Sequence, residues 1–213
     1  MRALALVIAL GGCDLVFTIR VPPDGNGTPP GDVPAVDTPA DVGCSDKTRE
    51  GFTDTFRFRR LAGCGGGFTI AGVDAIAPPA CARAAGNDSN NPDGQGCNVE
   101  DLCASGWHVC LSRVDVGTSS ALGCDDATLG ANLFFVTRQA GSNGFCATSG
   151  LDDIYGCGTQ GANLTGCAPL TLSSASLCVA LPIGGWDCPD MLAEARTVTK
   201  LDPGGGGVLC CHD

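Results

Sequence analysis

Apolar and polar positions along this chain alternate in short runs rather than in long helical stretches, which predicts short strands joined by long loops. From Phe52 to Arg60 the rings of Phe56 and Phe58 fall on one face and Arg57 and Arg59 on the other, the pattern of a half-buried strand. Gly67–Ile76 and Ala131–Arg138 (ANLFFVTR) predict two more, with Cys64-Gly65-Gly66-Gly67 as the turn joining the first two. Leu177–Leu181 and Val208–Cys211 predict shorter ones. Helical signals are fewer. Asn98 is placed to cap a short helix through Leu102 and Cys103, and Asp101 at the third position completes a capping-box pair. Pro189 suits the first turn of a second helix through Met191, Leu192, Ala195 and Val198.

Cysteine changes this picture from a weak fold to a cross-linked one. The chain has 15 cysteines in 213 residues, together with 32 glycines and only two Trp, one Tyr and eight Phe. Such a chain loses much backbone entropy on folding and has few large side chains to bury. Disulfides offset that deficit at about 2–4 kcal/mol each. Setting Cys13 aside leaves an even set: Cys44, Cys64, Cys81, Cys97, Cys103, Cys110, Cys124, Cys146, Cys157, Cys167, Cys178, Cys188, Cys210 and Cys211. An even set of this size implies a disulfide framework and an oxidising compartment. The pairing stays open at this stage, except that adjacent Cys210 and Cys211 point to opposite faces of a strand and must bond to different partners. The expected fold is α+β, a small disulfide-rich domain of short antiparallel strands, long loops and one or two short helices. Trp107 and Trp186, each just ahead of a cysteine, are expected to be buried against disulfides.

Composition divides the chain into three parts. Residues 1–12 hold Arg2 and the apolar run Ala3–Leu10, about eight residues where a bilayer span needs about 20, so this reads as a signal peptide. Residues 13–43 form a linker; its stretch 21–43 holds six of the 13 prolines, four aspartates and no basic residue. That composition gives an extended tether of roughly 70 Å. Residues 44–213 are the Cys/Gly domain, with 10 basic and 18 acidic residues and a net charge of −8. This balance argues against nucleic acid as a partner, since phosphate binding needs a concentrated positive surface.

Candidate chemistry is sparse. Zinc needs cysteines two to four residues apart in repeated pairs, and that spacing is missing. Only His108 and His212 could serve as a catalytic base, and there is no Gly-x-Ser-x-Gly elbow. Asp125-Asp126, Asp152-Asp153 and Glu100-Asp101 are the carboxylate pairs a glycosidase would need. Arg57, Arg59 and Arg60 form a basic cluster, expected to pair with local acids. The most specific ligand motif is a calcium loop counted from Ser89, with Asn91 third, Asp93 fifth, Gly94 sixth and Glu100 twelfth. Calcium is therefore the one candidate cofactor.

Two resemblances add to this reading. Leu10-Gly11-Gly12-Cys13 behind Arg2 resembles a bacterial lipobox, which implies acylation of Cys13 and attachment to a membrane through lipid. The Pro/Asp-rich tether is similar to those of bacterial surface lipoproteins. Cys103-Ala104-Ser105-Gly106-Trp107 and the ending Val208-Leu209-Cys210-Cys211 resemble C-type-lectin-like domains. The Glu-Pro-Asn and Trp-Asn-Asp calcium–sugar motifs of that family are missing, so no functional residue is carried over. The resulting expectation is a lipid-anchored, extracytoplasmic binding or adhesion module of the bacterial cell envelope, with a glycan or protein ligand. The alternatives are an envelope-polymer hydrolase using a carboxylate pair or His108, and a structural envelope protein without a small ligand.

Overall fold

The computed structural model describes residues 42–213 apart from 126–128, 142–145, 147–151, 160–161, 164–165, 174–177, 179–180 and 182–183. The signal peptide, Cys13, the tether up to residue 41, most of the Leu177–Leu181 run and Asp126 lie outside the described residues.

The domain is built around its last strand. In chain order the strands are β1 (Leu61–Gly65), β2 (Trp107–Val109), β3 (Phe134–Gly141), β4 (Asp153–Gly158), β5 (Ala162–Asn163), β6 (Thr171–Ser173), β7 (Trp186–Asp187), β8 (Thr199–Lys200) and β9 (Gly206–His212). The helices are α1 (Arg113–Ser119) and α2 (Glu194–Thr197), with a 3-10 turn at Val99–Leu102. One sheet runs β1-β9-β3-β4-β6-β5, with β2 also on β9, and β7 pairs with β8 separately. One edge of β9 pairs antiparallel with β1, from Leu61↔Cys211 to Gly65↔Gly207. Its other edge is shared: β3 takes the first half in parallel, Phe134↔Gly206 to Val136↔Val208, and β2 takes the second half antiparallel, Trp107↔His212 to Val109↔Cys210.

Both faces of this sheet are buried. Val208 and Cys210 join one apolar cluster with Ala62, Cys64, Trp107, Phe134 and Val136. Leu209 and Cys211 join the other with Leu61, Phe135, Tyr155 and Leu170. β9 therefore reads Val208-Leu209-Cys210-Cys211 without a polar break, as strands covered on both faces do. Alternation also places the two adjacent cysteines on opposite faces, Cys210 bonded to Cys103 and Cys211 to Cys110. The other bridges are Cys44–Cys64, Cys81–Cys97, Cys124–Cys157, Cys146–Cys167 and Cys178–Cys188. All fourteen expected cysteines are thus paired.

The small disulfide-rich α+β domain is as the sequence implies, but several elements lie elsewhere. Residues 52–60 form a turn, not a strand. The Asp54 carboxylate accepts the N–H groups of Phe56 and Arg57, both at 3.0 Å, and its carbonyl accepts Phe58 N–H at 2.8 Å. Phe56 is consequently 79% exposed while Phe58 is buried. The strand begins at Leu61 and takes in Cys64 and Gly65, the first half of the expected turn. A Cβ on Gly207 would strike the Cys64 carbonyl opposite, so glycine here lets two backbones approach closely. Gly67–Ile76 contributes only the isolated bridge Phe68↔Lys200. The helix read from Pro189 shrinks to the single turn α2, which starts at Glu194 without a side-chain cap. The 3-10 turn has the expected capping box: Asn98 accepts Glu100 N–H and Asp101 reaches back to Asn98 N–H.

Trp107 is buried among the cysteines of its cluster, whereas Trp186 is half-buried, edge-on to Phe68 and Phe134 at 6.1 Å. Among the described residues no helix is long and apolar enough to cross a membrane.

Candidate functional site

The site begins with an irregularity in β3. Its register against β4 runs Val136↔Gly156 and then Ala140↔Ile154, so four steps on β3 face two on β4. Thr137, Arg138 and Gln139 bulge out of the ladder. Their backbone is kept satisfied locally: Thr137 Oγ1 donates to the Tyr155 carbonyl at 2.9 Å, Gln139 N–H donates to Thr137 Oγ1 at 3.3 Å, and Arg138 N–H reaches the Cys110 carbonyl at 2.9 Å. A bulge breaks the in–out alternation of a strand. Two sequence neighbours, Arg138 and Gln139, therefore line the same cleft.

Arg138 is fixed from behind. Its Nη2 meets Glu100 Oε1 at 2.6 Å, and its Nη1 donates to the carbonyls of Val73 (3.1 Å) and Ala75. Glu100 is held in turn by Val109 N–H at 3.2 Å and by its place in the 3-10 turn. Gln139 Oε1 accepts the N–H of Arg113, the first residue of α1, at 2.9 Å. Arg138 Nε and Gln139 Nε2 remain: both are buried donors with no hydrogen-bond partner among the described residues.

The cleft has a volume of about 430 Å³, in the size range of small-molecule sites. Asp74, Leu111, Arg113, Val114 and Asp152 are among the other residues of its walls. Arg196 neutralises Asp152, with Nε at 2.5 Å, and lies 3.9 Å from Asp74. Of the cleft's charged groups, Arg138 and Asp152 are thus paired, and no ion pair of Arg113 is found among the described residues.

The residues expected from sequence are placed as follows. Ser89 Oγ donates to the Gly86 carbonyl and accepts Asn91 N–H, and Asn91 closes on Gln95 through both ends of its amide. Asp93 stands exposed on the same turn. Glu100 faces the other way, into the core toward Arg138, so the structure does not bring its carboxylate to the loop. Asp101 accepts the N–H groups of Ala80, Cys81, Arg83 and Asn98, a fold-holding role. Asp152 and Asp153 are successive residues at the start of β4; Asp153 is pushed up by burial and by the neighbouring charge of Asp152. Arg57 and Arg59 stack on Phe58 and Phe56 at 5.2 and 4.6 Å, and Arg60 donates to the His212 carbonyl, so no carboxylate pairing is seen here among the described residues.

His108 lies between two carboxylates, Nδ1 at 2.6 Å from Asp213 and Nε2 at 3.1 Å from Asp115. Burial pulls its pKa down, but hydrogen bonds and charge from Asp213 and Asp115 outweigh that and raise it. The ring beside Trp107 belongs to His212, at 5.0 Å.

Arg138, Gln139 and Asp74 were not singled out by the sequence. The available signal was Thr137-Arg138-Gln139, three polar residues in a row interrupting an apolar strand. No protein-family model matches the chain, and no solved structure matches it.

Proposed function

We propose that this chain is an extracytoplasmic binding module, anchored through lipid on Cys13 and held off the membrane by its acidic tether. Seven disulfides support placement in an oxidising compartment. The observation that carries the binding reading is the cleft of about 430 Å³ beside the β3 bulge, lined by Arg113, Arg138 and Gln139, the last two of which each hold a buried donor with no acceptor among the described residues. A buried donor left unpaired is costly and calls for an explanation, of which a bound water, ion or ligand is one. The frame around them is rigid: Glu100 fixes Arg138, α1 fixes Gln139, and Cys146–Cys167 crosses nearby.

The test is a thermal-shift screen of the oxidised chain against soluble oligosaccharides and peptides. A ligand that raises the melting temperature of the parent chain but not of Gln139→Leu supports the module. A screen in which nothing depends on Gln139 removes the cleft as the binding site. For the anchor, radiolabelled fatty acid should be incorporated by the parent and not by Cys13→Ser; equal labelling would exclude acylation at that residue.

A further inference from the structure

We infer that the turn at residues 54–60 is a docking surface for an acidic polysaccharide, a chain of sugars that carry carboxylates. The surface lies apart from the cleft, since none of its residues lines those walls. Its distinction is charge. Without Arg57, Arg59 and Arg60, the domain 44–213 holds 7 basic residues against 18 acidic ones, a net charge of −11. Five of those seven are committed inside the fold: Arg49 and Arg83 to backbone carbonyls, Arg138 to Glu100, Arg196 to Asp152, and Lys200 to the Asp202 carbonyl. Lys47 and Arg113 are left, each isolated in the sequence. Arg57, Arg59 and Arg60 are all exposed, and none lies within ion-pair distance of a carboxylate among the described residues. They are the densest run of cationic charge in an acidic domain.

The turn presents these groups instead of absorbing them. The carboxylate of Asp54, the one acid on it, accepts the N–H groups of Phe56 and Arg57. Asp213 follows the His212 carbonyl that Arg60 reaches, and its carboxylate faces His108. Phe58 anchors the turn edge-on to Phe52 at 5.1 Å, and Arg49 Nη1 holds the carbonyls of both. Arg57 lies against the Phe58 ring and Arg59 against the Phe56 ring. Of the Arg59 donors only Nε is engaged, with the Phe56 carbonyl at 3.3 Å. A guanidinium stacked in this way keeps its edge open to a bidentate acceptor. Phe56, with most of its surface in solvent, adds an aromatic ring beside the charges. A sugar acid meets both features in one residue: its carboxylate takes guanidinium donors and its C–H face lies on the ring. An acidic peptide brings carboxylates without such a face. An anionic bilayer would draw the whole acidic domain toward like charge for the burial of one ring, whereas a polymer chain touches the turn alone.

The experiment is calorimetric titration of the whole oxidised chain with oligomers of galacturonate, glucuronate or mannuronate. Neutral oligosaccharides of equal length, a polyglutamate peptide and vesicles containing an anionic phospholipid are the comparison probes. The expected result is binding of at least one oligouronate that weakens as salt is raised. It should fall about tenfold or more in the double variant Arg57→Gln with Arg59→Gln, and about threefold in Phe56→Ser. Because Arg57 also covers the anchoring Phe58, Arg59→Lys serves as a second test; it keeps the charge, loses the planar fork and should weaken binding too. Uronate binding that survives the Arg variants, or that is lost in Gln139→Leu instead, overturns this surface. Binding of polyglutamate, vesicles or neutral sugars that equals or exceeds that of the uronates and is lost in the Arg variants overturns the acidic-saccharide occupant. Silence of every probe overturns the surface as well.

Discussion

Glu100 and Arg138, 38 residues apart, meet in a 2.6 Å ion pair beneath the cleft, with both side chains nearly withdrawn from solvent. The pair couples the capped 3-10 turn to the β3 bulge. Removing one partner leaves the other charge buried, at a cost of about 3–5 kcal/mol. Glu100→Ala should destabilise the domain by about that much in urea titration, and the double replacement Glu100→Leu with Arg138→Met should recover part of the loss. A Glu100→Ala variant as stable as the parent would show that the pair does not form.

The same pairing bears on calcium. Glu100 turns away from the Ser89–Asp93 loop, and Ser89 and Asn91 are engaged within it. Melting temperatures with calcium and with chelator are therefore expected to coincide. A calcium-dependent rise abolished by Asp93→Ala would require Glu100 to leave Arg138 and would reinstate the loop.

Disulfide contributions should scale with loop length. Cys103–Cys210 closes 107 residues and Cys81–Cys97 closes 16. Chain-entropy arguments assign about 4.7 kcal/mol to a 100-residue loop and about 3 kcal/mol to a 15-residue loop. Replacing both cysteines by serine at the first bridge should cost more than at the second. Thiol titration of the denatured domain should find no free cysteine among the fourteen, and one or more per chain would break the framework.

Lys200 is buried, its ammonium 5.6 Å from the centre of the Trp186 ring and donating to the Asp202 carbonyl. Burial lowers its pKa to about 8, against the attraction of Asp202 and Glu50. Between about 8 and the unfolded value of 10.5 the unfolded chain holds the proton that the folded chain has lost. This lysine therefore destabilises below pH 8, and its contribution to stability should rise with pH across that window. Lys200→Met should flatten the alkaline rise in urea stability; a slope unchanged by the substitution would place the titration elsewhere.

How much of this was legible depended on whether local chemistry or tertiary packing decided each element. The Asn98–Asp101 capping box is a local device and was readable, as was the opposed bonding of Cys210 and Cys211, which follows from strand geometry alone. The helix α1 carried a readable signal in Ser112-x-x-Asp115, with Ser112 accepting Val114 N–H, though Val114, Val116 and Gly117 are poor helix formers. β1 was hidden because Cys64 and Gly65 read as the start of a turn until β9 is placed against them. The Phe52–Arg60 alternation misled because Asp54 captures the backbone before a ladder can form. The cleft was least visible: Asp74, Val114, Gln139 and Asp152 come from four segments, and only the bulge turns Arg138 and Gln139 together.

The most direct measurement is the side-chain amide resonance of Gln139 in a ¹⁵N-labelled chain titrated with the oligosaccharide or peptide that most raises the melting temperature in the screen. The result expected is a saturable shift of the Gln139 Nε2 protons, with neighbouring shifts confined to Arg113, Arg138 and Leu111. Saturable binding that leaves the Gln139 amide unmoved would contradict a ligand site in this cleft.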